Sequence, residues 1–436
     1  MDNNIVSKIQ MKAVSSLEKC FFDEKIEDKP EKTVYKIFKN EPLCFQVAYF
    51  NDLRERTPRK GKISLSGSLA PYACALQVEH IPSIMPFHQQ EASGVFLREE
   101  PGLYPDLIRP LMYQGSTMLP VGQLRALWIE AELPEELPAG EYDLSVSIDT
   151  EAEPRLFGEV SVKVIDSDKM LPPQKLIHTE WFYTDCIAEY YHTTAFSERH
   201  WSLIEKFIKK AVDNGINMIL TPVFTPELDT YIGGERMTTQ LVDIELDGNG
   251  RYIFGFDKLH RWIDMCLRLG VKYFEIPHFF TQWGANHAPK IIVKVNGRRK
   301  KYFGWHTDSM GEEYGAFLGQ FIPALVGEFK KRGIDRNCFY HVSDEPKISD
   351  LEQYTKCKKL IGQYLEGYSI IDALSDFEFY TTGALEKPAP STKAIKPFIE
   401  HGIDGLWAYY CGSGGTVSNR WFAMPLWRTR MIGVQL

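Results

Sequence analysis

The chain has 436 residues, 44% hydrophobic and 13% aromatic, with a formal net charge of −8. That length calls for two or three domains, and the negative balance without a lysine–arginine stripe excludes a nucleic-acid-binding surface. No run of 18 apolar residues occurs, so no membrane-spanning helix is expected. Met1 to Cys20 lacks the apolar core of a signal peptide, so the sequence as given reads as cytoplasmic, although a secreted chain with its signal removed would read the same. The eight cysteines, at 20, 44, 74, 186, 266, 338, 357 and 411, form no CxxC pair and read as free thiols.

Residues 1–165 read as a β-sandwich. Thr33–Phe38 and Cys44–Phe50 are β-rich runs on either side of a turn at Lys39–Pro42, and Ala126–Leu133, Tyr142–Ile148 and Gly158–Ile165 add segments that alternate with period two. No acid cluster or glycine-rich loop in this part points to chemistry. Residues 166–175, with Pro172 and Pro173, read as a link that cannot continue a strand.

From residue 176 to 436 the pattern changes to strands alternating with helices. Leu176–Phe182 is a strand candidate. Ser197 can cap a helix to about Asn214, carrying Trp201, Ile204 and Ile208 on one stripe, with Gly215 as its stop. Asn217–Leu220 follows as a strand, and Asp257 can cap the next helix, which ends at Gly270. Val271–Ile276 is a strand, Ser309–Arg332 a long helix, Cys338–Val342 a strand and Ser349–Gly367 a helix. Strand-like pieces recur at 369–374, 378–381 and 405–411. Alternation of this kind over about 250 residues favours a (β/α)8-type barrel over an open sheet, and the absence of a GxGxxG or P-loop spacing after the first strand weakens the nucleotide-binding alternative. Two insertions, Leu241–Phe254 and Ile291–Phe303, read as hairpins in links leaving strand C-termini, the face where barrels build their sites. Gly297-Arg298-Arg299-Lys300-Lys301 is the one dense basic run and reads as the tip of the second hairpin. At most seven strand candidates follow residue 175, and Pro425–Leu436 begins an amphipathic helix at the end of the sequence. The last barrel elements are therefore expected to be missing.

The stretch with most chemical content is Cys338-Phe339-Tyr340-His341-Val342-Ser343-Asp344-Glu345-Pro346. An apolar strand stops there at two adjacent acids, and Pro346 cannot donate to a ladder. Taken alone, the dipeptide reads more simply as a polar turn than as a catalytic pair. Adjacent carboxylates repel, and that repulsion raises the pKa of one of them, as a general acid requires; which one holds the proton belongs to the coupled pair. Neighbouring Cα atoms lie about 3.8 Å apart. Ordinary glycosidases set two carboxylates roughly 5–5.5 or 6.5–9.5 Å apart, on opposite sides of the scissile bond. Neighbours instead share one side of a sugar, which suits a substrate that brings its own nucleophile, such as a 2-acetamido group.

The Ser343-Asp344-Glu345-Pro346 strand end, the upstream sandwich, and the tail Ser418-Asn419-Arg420-Trp421-Phe422-Ala423-Met424-Pro425 with Trp427-Arg428-Thr429-Arg430 resemble glycoside hydrolase family 123. The resemblance implies a retaining β-N-acetylgalactosaminidase on a (β/α)8 barrel between β-domains, working by substrate-assisted catalysis through an oxazoline. It implies that Asp344 polarises the acetamido group and that Glu345 is general acid, then base. It also implies a glycan with terminal β-linked N-acetylgalactosamine as partner. No cofactor is expected, and no metal, since nothing in the sequence shows metal ligands converging. Family chains continue into a final barrel strand and a further β-domain that this sequence lacks.

Candidate sugar contacts are Trp181, Trp283, Trp407 and Tyr409 at or after strand ends, each equally readable as core. His278 and His287 can hydrogen-bond hydroxyls, and Asn419 and Arg420 can bind the sugar or brace the acids. Two rivals stand beside the glycosidase: a non-catalytic carbohydrate-binding protein, and a metal-dependent hydrolase using His278, His287 and Asp344.

Overall fold

The computed structural model describes residues 7–51, 58–88, 94–112, 115–150, 155–227, 231–411 and 419–435. The chain divides into two compact units, residues 1–173 with 412–435, and residues 174–411.

The first unit is strand-rich. Its strands are β1 (Ser7–Lys8), β2 (Gln10–Ser15), β3 (Val34–Lys39), β4 (Leu43–Phe50), β5 (Arg59–Ser66), β6 (Ala73–Ser83), β7 (Gly102–Pro110), β8 (Ser116–Leu119), β9 (Leu124–Ala131), β10 (Gly140–Asp149) and β11 (Leu156–Met170). One sheet has the order β1-β11-β10-β5-β8, with β3 also on β11; the other runs β2-β4-β9-β6-β7. Period-two alternation aims one row of each sheet inward. Phe45, Val47, Leu127 and Ile129 of the second sheet share one buried cluster with Leu144, Val146, Val162 and Val164 of the first. β11 runs five residues past Ile165 into the polar link that the sequence suggested, because β3 pairs alongside it as far as Met170. In the 419–435 segment, Phe422 and Ala423 pack with Phe21 and Tyr104 of this unit, and the Lys19 ammonium donates to the Phe422 carbonyl at 2.7 Å.

The second unit carries β12 (Met218–Leu220), β15 (Tyr273–Glu275), β18 (Cys338–Tyr340), β19 (Ser369–Ala373) and β20 (Lys387–Ala389) as a parallel sheet, in sequence order. Single parallel bridges extend it at both edges, Thr179 to Met218 and Ser391 to Tyr409. No closed barrel forms among the described residues: the sheet is an open run in consecutive order. β12 and β18 are buried throughout, as strands covered on both faces must be.

Helices α1 (Thr184–Tyr190), α2 (Glu198–Asp213), α3 (Asp257–Leu269), α4 (Glu312–Lys331), α5 (Leu351–Gly362), α6 (Phe377–Thr381) and α7 (Lys396–His401) fill the links. The Ser197 hydroxyl caps α2 by accepting the His200 amide, as its position suggested, and Gly270 ends α3 in the left-handed region at φ 103°. Asp257 is the first residue of α3 rather than its cap. Residues 378–381 are helical, against the strand expected there. Their aromatic content favours a strand, but the Asp376 carboxylate caps the Phe379 amide and turns the segment into α6.

The remaining strands are the two insertions, β13 (Asp243–Leu246) with β14 (Tyr252–Gly255), and β16 (Ile291–Val295) with β17 (Arg298–Phe303). Asn296 and Gly297 both take positive φ, 49° and 76°, as a tight two-residue hairpin turn requires. The hairpins do not stand apart. β13 pairs in parallel with β16, giving one four-stranded sheet of order β14-β13-β16-β17. Its apolar side packs on α4, where Tyr252, Phe254 and Phe303 meet Phe317.

Candidate active site

The C-terminal ends of β15, β18 and β19 bring a set of buried polar groups together. β18 lies in the middle of the parallel sheet, so the chain leaving it is held on both sides. The Ile276, Phe279 and Phe280 amides donate to the Phe339, His341 and Val342 carbonyls. The Ser343 hydroxyl, fully buried, donates to the Thr281 carbonyl at 2.8 Å. Asp344 follows half-buried and Glu345 exposed. Glu345 has φ 44°, a conformation that costs a non-glycine residue about 1–3 kcal/mol and persists only where its surroundings enforce it. The Tyr409 hydroxyl donates to the Glu345 carboxylate.

Directly beneath lie Glu275, His341 and Asp372, with 1%, 3% and 0% of their surface exposed. His341 Nε2 donates to Glu275 Oε1 at 2.8 Å and Nδ1 to Asp372 Oδ1 at 3.2 Å. Burial works to lower the His341 pKa, but the hydrogen bonds and charges of Asp372 and Glu275 outweigh it and push it up to about 10. His341 is thus an imidazolium between two acids. Burial raises the pKa of the Asp372 carboxyl, against the hydrogen bonds from His341, Tyr354 and the Val342 amide. The Tyr354 hydroxyl donates to Asp372 Oδ2 at 2.6 Å, and the Val342 amide to both Asp372 oxygens at 3.1 and 3.2 Å. Glu275 accepts from the Thr179 hydroxyl at 2.8 Å and the Trp181 indole N–H at 2.7 Å.

His278 stacks beside His341 with ring centroids 4.4 Å apart. Burial first, then the His341 charge, hold its pKa well below the ordinary value, so it is neutral. Both its ring nitrogens are buried without a hydrogen-bond partner. His278, His341 and Asp372 offer ligand atoms that all lie within 4.8 Å of one another, the one such group of three among the described residues. The metal trio suggested by the sequence, His278, His287 and Asp344, is not the one that converges. The donor set fits a cation poorly, since both His341 nitrogens already hold protons shared with carboxylates.

The other sequence candidates are distributed as follows. Trp181 is half-buried, its ring edge-on to His278 and His341. Trp283 is 54% exposed on the loop after β15, at φ 59°. His287 lies on the same loop, its ring against Trp305. Trp407 packs on Phe339 at 5.2 Å in an apolar cluster with Met218 and Ile371. Asn419 and Arg420 belong to the first unit, where the Asn419 side-chain carbonyl accepts the Arg420 amide at 2.8 Å.

Glu275 and Asp372 escaped the sequence reading; the signal available was a lone acid in an apolar strand, in Val271–Ile276 and Ser369–Leu374. Glu227 escaped it too. It is buried on the loop after β12, accepts the Lys290 amide, and burial pushes its pKa up to about 7.

Residues 181–436, more than half of the chain, match the family model described as "Glycoside hydrolase 123, catalytic domain". The class is thereby fixed: this is a glycoside hydrolase. The chain belongs to glycoside hydrolase family 123. Among solved structures it is similar to a family 123 glycoside hydrolase from Clostridium perfringens, described for glycolipid glycan hydrolysis, with TM-score 0.65 and 13% identity over 92% of this chain and 72% of that one. It is also similar to a putative glycoside hydrolase from Bacteroides vulgatus, with TM-score 0.29 and 12% identity over 86% of this chain and 64% of that one. No curated protein matches the chain. The first likeness shows a shared fold; the Asp344–Glu345 step lies inside the matched catalytic region.

Proposed function

We propose that the chain is an exo-acting, retaining glycosidase that removes terminal β-linked N-acetylgalactosamine from glycans by substrate-assisted catalysis. A strand-rich unit followed by a parallel sheet in consecutive order supports this reading, and we read the two as a β-sandwich and an arc of a (β/α) barrel. The observation that carries it is the adjacent acid pair at the end of the central strand, inside a family 123 catalytic region. Glu345 first gives its proton to the leaving oxygen and then takes one from the attacking water. Asp344 orients the 2-acetamido group and balances the charge of the oxazolinium that forms when the acetamido oxygen attacks the anomeric carbon. Trp181, Trp283 and Tyr409 offer ring faces to the sugar, and the unpaired nitrogens of His278 offer a donor and an acceptor to a hydroxyl. The galactosamine preference and the glycoconjugate substrate rest on the family resemblance; the hydrolysis of glycolipid glycans by the Clostridium perfringens protein agrees with a glycoconjugate substrate.

The test is Glu345→Gln on a chromogenic β-N-acetylgalactosaminide. Turnover is expected to fall by about 10²–10⁴-fold, the usual worth of a general acid, while substrate still binds. Turnover like the wild type refutes the acid assignment.

A further inference from the structure

Glu275, His341 and Asp372 take no part in the chemistry above, yet they are the most deeply buried charges of the second unit's sheet. Two carboxylates and one imidazolium in a dry interior are costly. Apolar side chains of the same size would leave a fold as stable or more so. Nearer the N-terminal ends of the strands, Met218, Tyr273, Phe339 and Ile371 of the same sheet form an apolar cluster. The charged layer is therefore confined to the strand ends nearest the acid pair. Each carboxylate also has bonds that lead outward to the site. Asp372 grips the Val342 amide with both oxygens, two residues before Asp344. Glu275 holds the Trp181 indole N–H. The His341 ring joins the two.

We propose that Glu275, His341 and Asp372 act as one positioning unit, in which Asp372 fixes the strand end bearing Asp344 and Glu345, Glu275 fixes the Trp181 ring, and His341 links them. The inference rests on the acid reading of Asp344 and Glu345. Its content is a division of labour: Asp372 serves the chemical step and Glu275 serves sugar binding. Tyr354 supports Asp372 from α5 through one hydroxyl, which gives a milder handle on the same residue.

The experiment compares Asp372→Asn, Tyr354→Phe and Glu275→Gln with Glu345→Gln on a chromogenic β-N-acetylgalactosaminide, with thermal melts of each. Asp372→Asn should lower kcat by about tenfold or more with KM within about twofold, as expected when reacting groups lose their alignment. Tyr354→Phe should lower kcat by less, in the same direction. Glu275→Gln should raise KM more than it lowers kcat, and should shift the tryptophan emission. A lowered Tm with kcat and KM unchanged in all three shows a structural role and overturns the inference. Should Asp372→Asn not fold, Tyr354→Phe decides: an unchanged kcat overturns, a lowered kcat supports. If Glu345→Gln is inactive while the network variants are fully active, the acid reading stands and this inference falls. If Glu345→Gln is fully active, the acid reading falls and the inference with it. One equivalent of divalent metal in the purified protein, lost on chelation together with activity, would assign His278, His341 and Asp372 to a cation and overturn the role given to His341.

Discussion

His341 carries its proton between two buried acids, and that has a consequence for stability. Its pKa rises from 6.5 to about 10 on folding, so its contribution is fully present below about pH 6.5 and is lost as pH climbs through 10. Facing it are Glu275 from β15, Asp372 from β19, and the neutral His278. Melting temperature measured from pH 7 to 10.5 should fall in the wild type and fall less in His341→Gln, whose side chain does not titrate; parallel profiles would contradict the charge assigned to His341. At this scale the sequence exposed the acid pair because Pro346 and two acids interrupt an apolar run. It concealed Glu275 and Asp372. A single acid at the end of a short strand reads as a contact with solvent, and only the arrival of His341 from a neighbouring strand turns it into a buried pair. Tyr409 was legible as an aromatic near the site, but its hydrogen bond to Glu345 depends on a pairing with Ser391 that local pattern does not carry.

Among the elements, the paired hairpins are the clearest case of structure built from distant parts. Each hairpin was legible by itself, because a turn such as Asn296-Gly297 makes a local φ requirement. The union of β13 with β16 was not announced, since it joins segments almost fifty residues apart through two register pairs. The joined sheet is held by α4, and Phe317 is the shared contact of Tyr252, Phe254, Phe303 and Phe321. Phe317→Ala should cost about 3–5 kcal/mol by opening a cavity there. Urea unfolding would show it as a lower midpoint at unchanged slope; a loss under 1 kcal/mol would mean that the sheet does not depend on α4. The misreading of 378–381 has the opposite origin. There a local cap, Asp376, overrode an aromatic run whose propensity favours a strand.

For the whole molecule, the change from period-two runs to alternating strands and helices was legible because it persists over many elements. It separated a strand-rich part from the parallel sheet that presents the acid pair at its C-terminal edge. The strands missed in the first unit, such as Arg59–Ser66 and Ser116–Leu119, are short or polar, and gain their identity from the sheet they join. Trp407 shows the converse at the other end of the chain: an aromatic suited to a sugar packs on Phe339. The resemblance drawn from Ser343–Pro346 and the tail was answered by the family match over residues 181–436. What the acids do within that family frame is the central claim, and it turns on whether the substrate supplies the nucleophile. The most direct measurement follows hydrolysis of two chromogenic β-galactosides by NMR, one with a 2-acetamido group and one with a 2-hydroxyl. Cleavage confined to the acetamido substrate, with the β-anomer of N-acetylgalactosamine appearing first, is the predicted result. Equal cleavage of the 2-hydroxy substrate, or first release of the α-anomer, would contradict it.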